Sequence, residues 1–138
     1  MERDHKVKWA GGLRFIGTGP NGHSVVIDGD KTTALSPMEL MLLSTASCAC
    51  IDLVMILKKA RQKVVDAWVD IGGERREALP RFYNDIEMHF VVKGTDIKEH
   101  RVKRAIDLAM EKYCSASAQM AALADIRTSY EIIEADTP

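Results

Sequence analysis

The stretch that decides the fold covers residues 36–57 and reads SPMELMLLSTASCACIDLVMIL. Its first four residues predict the start of a helix. Ser36 can cap the helix, Pro37 suits the first helical position, and Glu39 completes a Ser-x-x-Glu capping box. We expect the helix to run to about Lys63.

This helix is apolar nearly all round. Asp52 is the only formal charge between residues 40 and 57, so we expect the helix to be buried on every side. A membrane span is the alternative, but Glu39 and Asp52 bracket the apolar run and residues 44–50 are mostly small. A domain of 138 residues has difficulty surrounding so long a helix alone, which favours a partner subunit.

Size and charge limit the classes of protein to which this chain can belong. The 138 residues fit a single domain, 1–138, with one core. The net charge of -1, from 19 basic and 20 acidic residues, gives no field that attracts nucleic acid or an anionic membrane. The polar N-terminus lacks the apolar core of a signal peptide, and three cysteines are an odd number. We therefore expect a cytoplasmic protein with reduced thiols.

The N-terminal part predicts a hairpin of two strands, Lys6–Ile16 and His23–Asp28. The loop between them, residues 17–22, spells G-x-G-x-x-G. In a dinucleotide-binding unit that motif follows a strand and opens a helix, whereas here Pro20 interrupts it and a strand continues. We interpret it as a turn.

The rest of the chain predicts an α+β fold with antiparallel sheets. Its predicted elements are half-buried strands at Val64–Ile71 and Asp85–Val92, a polar connection at Gly72–Pro80, a second helix capped by Asp96 with a stripe of Val102, Ile106, Ala109 and Tyr113 ending near Cys114, a short helix from Ser115, a last strand Asp125–Ile133, and a frayed tail from Glu134 to Pro138.

The three cysteines differ in their surroundings. Cys48 lies far inside the long helix, where the helix dipole does not reach it, and Asp52 at i+4 is expected to raise its thiol pKa. A buried core residue is the plain alternative for Cys48, and Cys50, about 200° round the helix, is expected to pack in the core. Cys114 immediately precedes the helix from Ser115, whose free N–H groups are expected to stabilise a thiolate.

The cysteines do not form a recognisable metal motif. Cys-x-Cys plus one distant cysteine lacks a second close pair, and no histidine stands at ligand spacing. We expect neither a metal nor a cofactor.

Three segments carry a family resemblance: SPMELML at 36–42, SCACID at 47–52 and EKYCS at 111–115. Together they resemble the OsmC/Ohr family of osmotically inducible and organic-hydroperoxide-resistance proteins, and look closest to its YhfA-like branch. Shorter matching stretches extend the resemblance over nearly the whole chain. It implies a stress-response protein.

The resemblance also implies an architecture and a chemistry. The fold would be an intertwined homodimer whose antiparallel sheets wrap around two long buried central helices. In peroxidase members the cysteine that matches Cys48 attacks an organic hydroperoxide and becomes a sulfenic acid. It then condenses with the cysteine that matches Cys114, and a dithiol reductant resets the pair.

The chain departs from the peroxidase pattern near the attacking cysteine. Met38 occupies the position of a family glutamate that, with an arginine, holds the thiolate. Glu39 is one residue away and is a candidate both for a catalytic group and for a helix cap, and Arg14 matches the arginine only loosely. The enzyme assignment therefore stays open. A non-enzymatic dimer that binds an apolar ligand or senses redox state is the alternative, and purely structural thiols are a third.

Overall fold

The computed structural model describes residues 1–136, so the end of the predicted tail, Thr137 and Pro138, lies outside the described residues. The chain forms two compact units, the first ending at Met41 and the second beginning at Leu42.

The first unit contains a three-stranded antiparallel sheet in the order β1-β2-β3. The strands are β1 (Lys6–Trp9), β2 (Arg14–Thr18) and β3 (Ser24–Asp28). The prediction of one strand from Lys6 to Ile16 is wrong. Gly11 and Gly12 have positive φ angles of 96° and 57° and turn the chain back, because glycine enters this region without steric cost.

The glycine motif at residues 17–22 forms the turn between β2 and β3, as predicted. The Gly19 N–H donates to the carbonyl of His23 at 2.9 Å, and Gly22 has a φ of 81°. The next element is strand β3 rather than a helix. A dinucleotide-binding unit needs a helix N-terminus at that point for the pyrophosphate, so this motif does not form one.

The loop after β3 is organised by the buried carboxylate of Asp28. It accepts hydrogen bonds from the N–H and hydroxyl of Thr33 at 2.9 and 2.8 Å, from the N–H of Asp30 at 2.9 Å, and from Thr32. These bonds, led by those from Thr33, hold the Asp28 pKa well below its usual range despite burial. They fix the chain just before Ser36.

Helix α1 spans Pro37–Lys59 and begins with the predicted capping box. The N–H of Glu39 donates to the Ser36 hydroxyl at 3.3 Å, and the N–H of Ser36 donates to the Glu39 carboxylate at 3.0 Å. The helix ends four residues before the predicted Lys63. Arg61 has a φ of 59°, which ends the helical path, and Lys63 already belongs to the next strand.

Burial of α1 on every side is not what the single chain shows. Its buried residues occupy one face, and they are Thr45, Ala46, Ala49, Leu53 and Leu57. Another row at i+4 spacing is exposed and comprises Leu43, Ser47, Ile51 and Met55. By length and composition α1 could cross a membrane, but its buried face makes it a core helix of this fold.

The second unit is built on a sheet in the order β4-β5-β6. The strands are β4 (Lys63–Arg75), β5 (Tyr83–Thr95) and β6 (Asp125–Glu134). As predicted, β4 and β5 pair antiparallel and β5 buries the alternating side chains Ile86, Met88, Phe90 and Val92. The antiparallel prediction is wrong for β6, which pairs parallel to β5 because the helices between them return the chain to the same end of the sheet.

Three helical segments connect β5 to β6. They are α2 (Glu99–Leu108), a π-helical turn (Ala109–Tyr113) and α3 (Ser115–Met120). Asp96 does not cap α2, since its φ is 52° and Lys98 occupies the capping position without a side-chain bond. The predicted stripe is buried as far as Ala109, whereas Tyr113 is 49% exposed, because a π-turn shifts the following side chains round the axis.

Candidate functional site

Three ionisable groups converge within the second unit. Cys48 and Asp52 lie one turn apart on the same face of α1, and Cys114 lies between the π-helical turn and α3. The two Sγ atoms and a carboxylate oxygen of Asp52 all lie within 4.8 Å of one another. The fold therefore brings together two sulfur atoms that are 66 positions apart in the sequence.

Cys114 is buried, with 3% of its surface exposed, and its sulfur caps α3. The Sγ atom accepts hydrogen bonds from the N–H of Ser117 at 3.3 Å and from the Ser117 hydroxyl at 3.0 Å. Its own S–H points to the carbonyl of Thr45 at 3.9 Å. Ser117 is itself buried, so the position of this sulfur is well determined.

The acidity of Cys114 differs from the expectation. Hydrogen bonds from Ser117 favour the thiolate, as predicted for a helix start, but burial has the larger effect and raises the pKa of Cys114. The neighbouring Cys48 raises the Cys114 pKa further. The expectation of a helix-activated thiolate is therefore wrong in its net direction, because removing the sulfur from water outweighs two hydrogen bonds.

Cys48 and Asp52 are each half-buried, so part of each stays open to the surroundings. One carboxylate oxygen of Asp52, Oδ2, is buried and has no hydrogen-bond partner within residues 1–136. The predicted i+4 relation between the two side chains is present. A buried oxygen without a partner costs free energy.

The other candidate residues stand apart from this cluster. Cys50 is half-buried, and burial raises its pKa. The Glu39 carboxylate is engaged by Ser36, whose hydrogen bonds lower the Glu39 pKa with help from the charge of Lys31. Arg14 lies exposed in β2, opposite Asp28 in the strand register. The catalytic role considered for Glu39 stays a prediction.

Ser117 is the residue that sequence reasoning missed. It lies three positions after Cys114. This is the spacing between a helix-capping residue and a residue whose backbone N–H donates to the capping side chain. The sequence therefore contains this signal. Sulfur is an unusual capping atom, so the pattern predicts only a helix start.

The fold and the paired cysteines define a class of protein. The family model described as OsmC-like protein matches residues 28–129, and the chain belongs to this family. It is 44% identical to protein YhfA of Escherichia coli strain K12 over 131 residues, 94% of this chain and 98% of the relative. The predicted family and its YhfA-like branch are confirmed.

Solved structures share this fold. A hypothetical protein from Aquifex aeolicus VF5 is 31% identical and superposes with a TM-score of 0.87 over 99% of this chain and all of that one. The organic hydroperoxide resistance protein OhrB of Bacillus subtilis has the same fold at 18% identity, with a TM-score of 0.61 over 92% and 97% of the two chains.

Proposed function

We propose that the protein reduces organic hydroperoxides, with Cys48 as the attacking thiol and Cys114 as the resolving thiol. The observation that carries this proposal is the approach of the two sulfur atoms to within 4.8 Å. Family membership supports it, since OhrB of Bacillus subtilis is an organic hydroperoxide resistance protein by name. We also propose that residues 1–138 form one functional domain, because the family match, residues 28–129, begins in the first compact unit and continues through most of the second.

Burial supports this division of roles between the thiols. Cys48 is half-buried, which leaves this residue more accessible to a small alkyl peroxide than Cys114 is. Cys114 is 3% exposed and is held by Ser117, which suits a thiol whose partner is the neighbouring sulfur. An attacking thiol needs substrate access, whereas a resolving thiol needs only proximity.

The proposed cycle has three steps. The Cys48 thiolate attacks the outer oxygen of the hydroperoxide, the O–O bond breaks, and the alkoxide takes up a proton to leave as an alcohol. The Cys114 thiolate then attacks the sulfenic sulfur of Cys48, and hydroxide leaves and is protonated to water as the disulfide forms. An external dithiol supplies two electrons and two protons to restore both thiols.

The peroxidase assay compares the reduced protein with single-cysteine variants. With dithiothreitol as reductant, we expect consumption of cumene hydroperoxide by the wild-type protein and by Cys50→Ser, whose thiol lies outside the cluster. Cys48→Ser should abolish consumption. Cys114→Ser should reduce cumene hydroperoxide once per chain and then stop or slow, with a sulfenic acid detectable on Cys48 by dimedone labelling. Equal activity in Cys48→Ser and wild type would refute the proposal.

A second candidate is a non-enzymatic dimer that senses redox state or binds an apolar ligand. It is favoured by Met38 at the position of the family glutamate and by the burial that raises the Cys114 pKa. It predicts a slow or absent peroxide reaction in the wild type that Met38→Glu accelerates. An unchanged rate in Met38→Glu would count against it.

We also propose that two chains form a cytoplasmic homodimer through α1. The exposed row of Leu43, Ser47, Ile51 and Met55 is largely apolar, with Ile51 59% and Met55 65% exposed. Exposed apolar rows of this kind are common at subunit interfaces. Sedimentation equilibrium should give a dimer for the wild type and a monomer for Ile51→Lys, whereas Leu123→Lys, at an exposed position outside this row, should remain dimeric.

A further inference from the structure

We infer that Cys48, Asp52 and Cys114 form a binding site for a thiophilic divalent cation, with Zn²⁺ as the preferred metal. This goes beyond the proposed peroxide chemistry, because it uses both thiols as ligands and gives Asp52 a role. The spacing of cysteines and histidines alone predicts no metal here, because the third donor is the carboxylate of Asp52.

The spacing of the three donor atoms suits one small cation. They lie within 4.8 Å of one another. Around tetrahedral zinc, with Zn–S near 2.3 Å and Zn–O near 2.1 Å, neighbouring donors are about 3.5 to 3.8 Å apart. Side-chain adjustments of about 1 Å therefore close the donors onto a shared ion.

The scaffold presents these donors in a fixed arrangement. Cys48 and Asp52 are at i and i+4 of α1, the helical spacing that places two ligands on one face. Cys114 comes from a separate segment and is oriented by two hydrogen bonds from Ser117. Hydrogen bonds to ligand atoms are what usually orient the first shell of a metal site.

The buried Oδ2 of Asp52 is the independent sign of a missing partner. It has no hydrogen bond within residues 1–136, although it is enclosed. A nearby cation stabilises a buried carboxylate oxygen that lacks a hydrogen bond. Two adjacent thiolates would add negative charge and so strengthen the attraction for a cation. One divalent ion coordinated by all three groups would balance most of this negative charge.

The donor set selects the kind of metal. Two sulfur ligands and one carboxylate favour Zn²⁺ over Mg²⁺ or Ca²⁺, which prefer oxygen alone. Three protein ligands leave a fourth position open, as in zinc sites that exchange ligands with solvent. Cys48 and Asp52 are only partly buried, so an ion does not have to cross a closed core to approach them.

The direct test is metal binding by the reduced, metal-free full-length protein. Zn²⁺ is titrated in competition with a chromophoric chelator, and Co²⁺ serves as the spectroscopic probe. We expect one ion per chain, with the intense visible bands of tetrahedral Co²⁺ and a sulfur-to-cobalt charge-transfer band. Octahedral Co²⁺ spectra without sulfur bands, or no binding, would overturn the inference.

Variants decide whether the ion sits at the inferred residues. Asp52→Asn keeps the shape of the side chain and should weaken Zn²⁺ binding at least ~10-fold, while Cys48→Ser should remove one sulfur from the Co²⁺ spectrum. Cys50→Ser, on the same helix but outside the cluster, should bind as the wild type does. Thermal melting confirms that each variant is folded. Wild-type affinity in folded Asp52→Asn, or a loss in Cys50→Ser, would refute the assignment.

Metal binding and peroxide reduction remain separable in these experiments. Binding is measured without peroxide, and peroxide consumption is measured with a chelator present. Zn²⁺ at one equivalent should suppress formation of a Cys48–Cys114 disulfide, because coordinated thiolates are less available for attack. Disulfide formation at the same rate with and without Zn²⁺ would place the ion elsewhere.

Discussion

Joining Cys48 to Cys114 by oxidation should strongly stabilise the protein against unfolding. The two Sγ atoms lie within 4.8 Å, whereas the cysteines are 66 positions apart in the chain. A crosslink over that span removes conformational entropy from the unfolded chain. The loop-closure relation gives an increase of about 4 kcal/mol in the free energy of unfolding, before any strain in the folded state is subtracted.

This free energy corresponds to a large change in melting temperature. For a chain of this length, 4 kcal/mol raises the midpoint by about 15 °C when the unfolding entropy is typical. Strain would reduce that figure, because both sulfurs must move to reach bonding distance. A rise in melting temperature of half that size would still be easily measured.

The assay is differential scanning calorimetry of diamide-oxidised and reduced protein at equal concentration, with peptide mass spectrometry to identify the disulfide. Oxidant-treated Cys114→Ser is the control, since it retains Cys48 and Cys50 but cannot form the link. Its midpoint should not rise. A confirmed Cys48–Cys114 link with no rise in the wild-type midpoint would refute the entropy argument, and a Cys48–Cys50 link would refute the geometry.

Three further predictions concern individual side chains. Leu53→Ala should lower the free energy of unfolding by about 3 kcal/mol in urea denaturation, because Leu53 is fully buried, whereas Leu79→Ala, at a position 84% exposed, should change it little. Asp28→Asn should destabilise the protein at pH 7, and the difference from wild type in melting temperature should shrink as the pH falls below about 4. The lowered Asp28 pKa means that the charged form stabilises the fold above the unfolded pKa and loses this effect in acid, so a gap independent of pH would contradict that account. Ser117→Ala should slow alkylation of Cys114 at fixed pH by about tenfold, because a hydrogen bond to the thiolate is lost; an unchanged rate would show that the hydroxyl does not act on the sulfur.

Local features of the chain were predictable because short-range contacts decide them. The capping box of Ser36 and Glu39 involves residues three apart, and its hydrogen bonds form as predicted. The turn at residues 17–22 follows from its glycines and Pro20. The prediction of one strand from Lys6 to Ile16 fails at Gly11 and Gly12, although a glycine pair is itself a local turn signal.

Long-range pairing was not predictable from residue patterns. The strand Asp125–Glu134 alternates as a strand should, but its parallel pairing with β5 depends on the path of the helices between them. The π-helical turn that exposes Tyr113 likewise depends on packing. No local sequence pattern indicates at which end of the sheet the chain enters its last strand, and this decides whether the strand pairs parallel or antiparallel.

By itself the sequence determined the helix that carries Cys48 and Asp52, the helix start after Cys114, and the family to which the chain belongs. Only the tertiary structure decided that the three groups converge, that the sulfur of Cys114 is buried against Ser117, and that an oxygen of Asp52 is left without a partner. The reason is physical. Acidity and metal affinity depend on distance and desolvation, and both are set by segments that meet only when the chain folds.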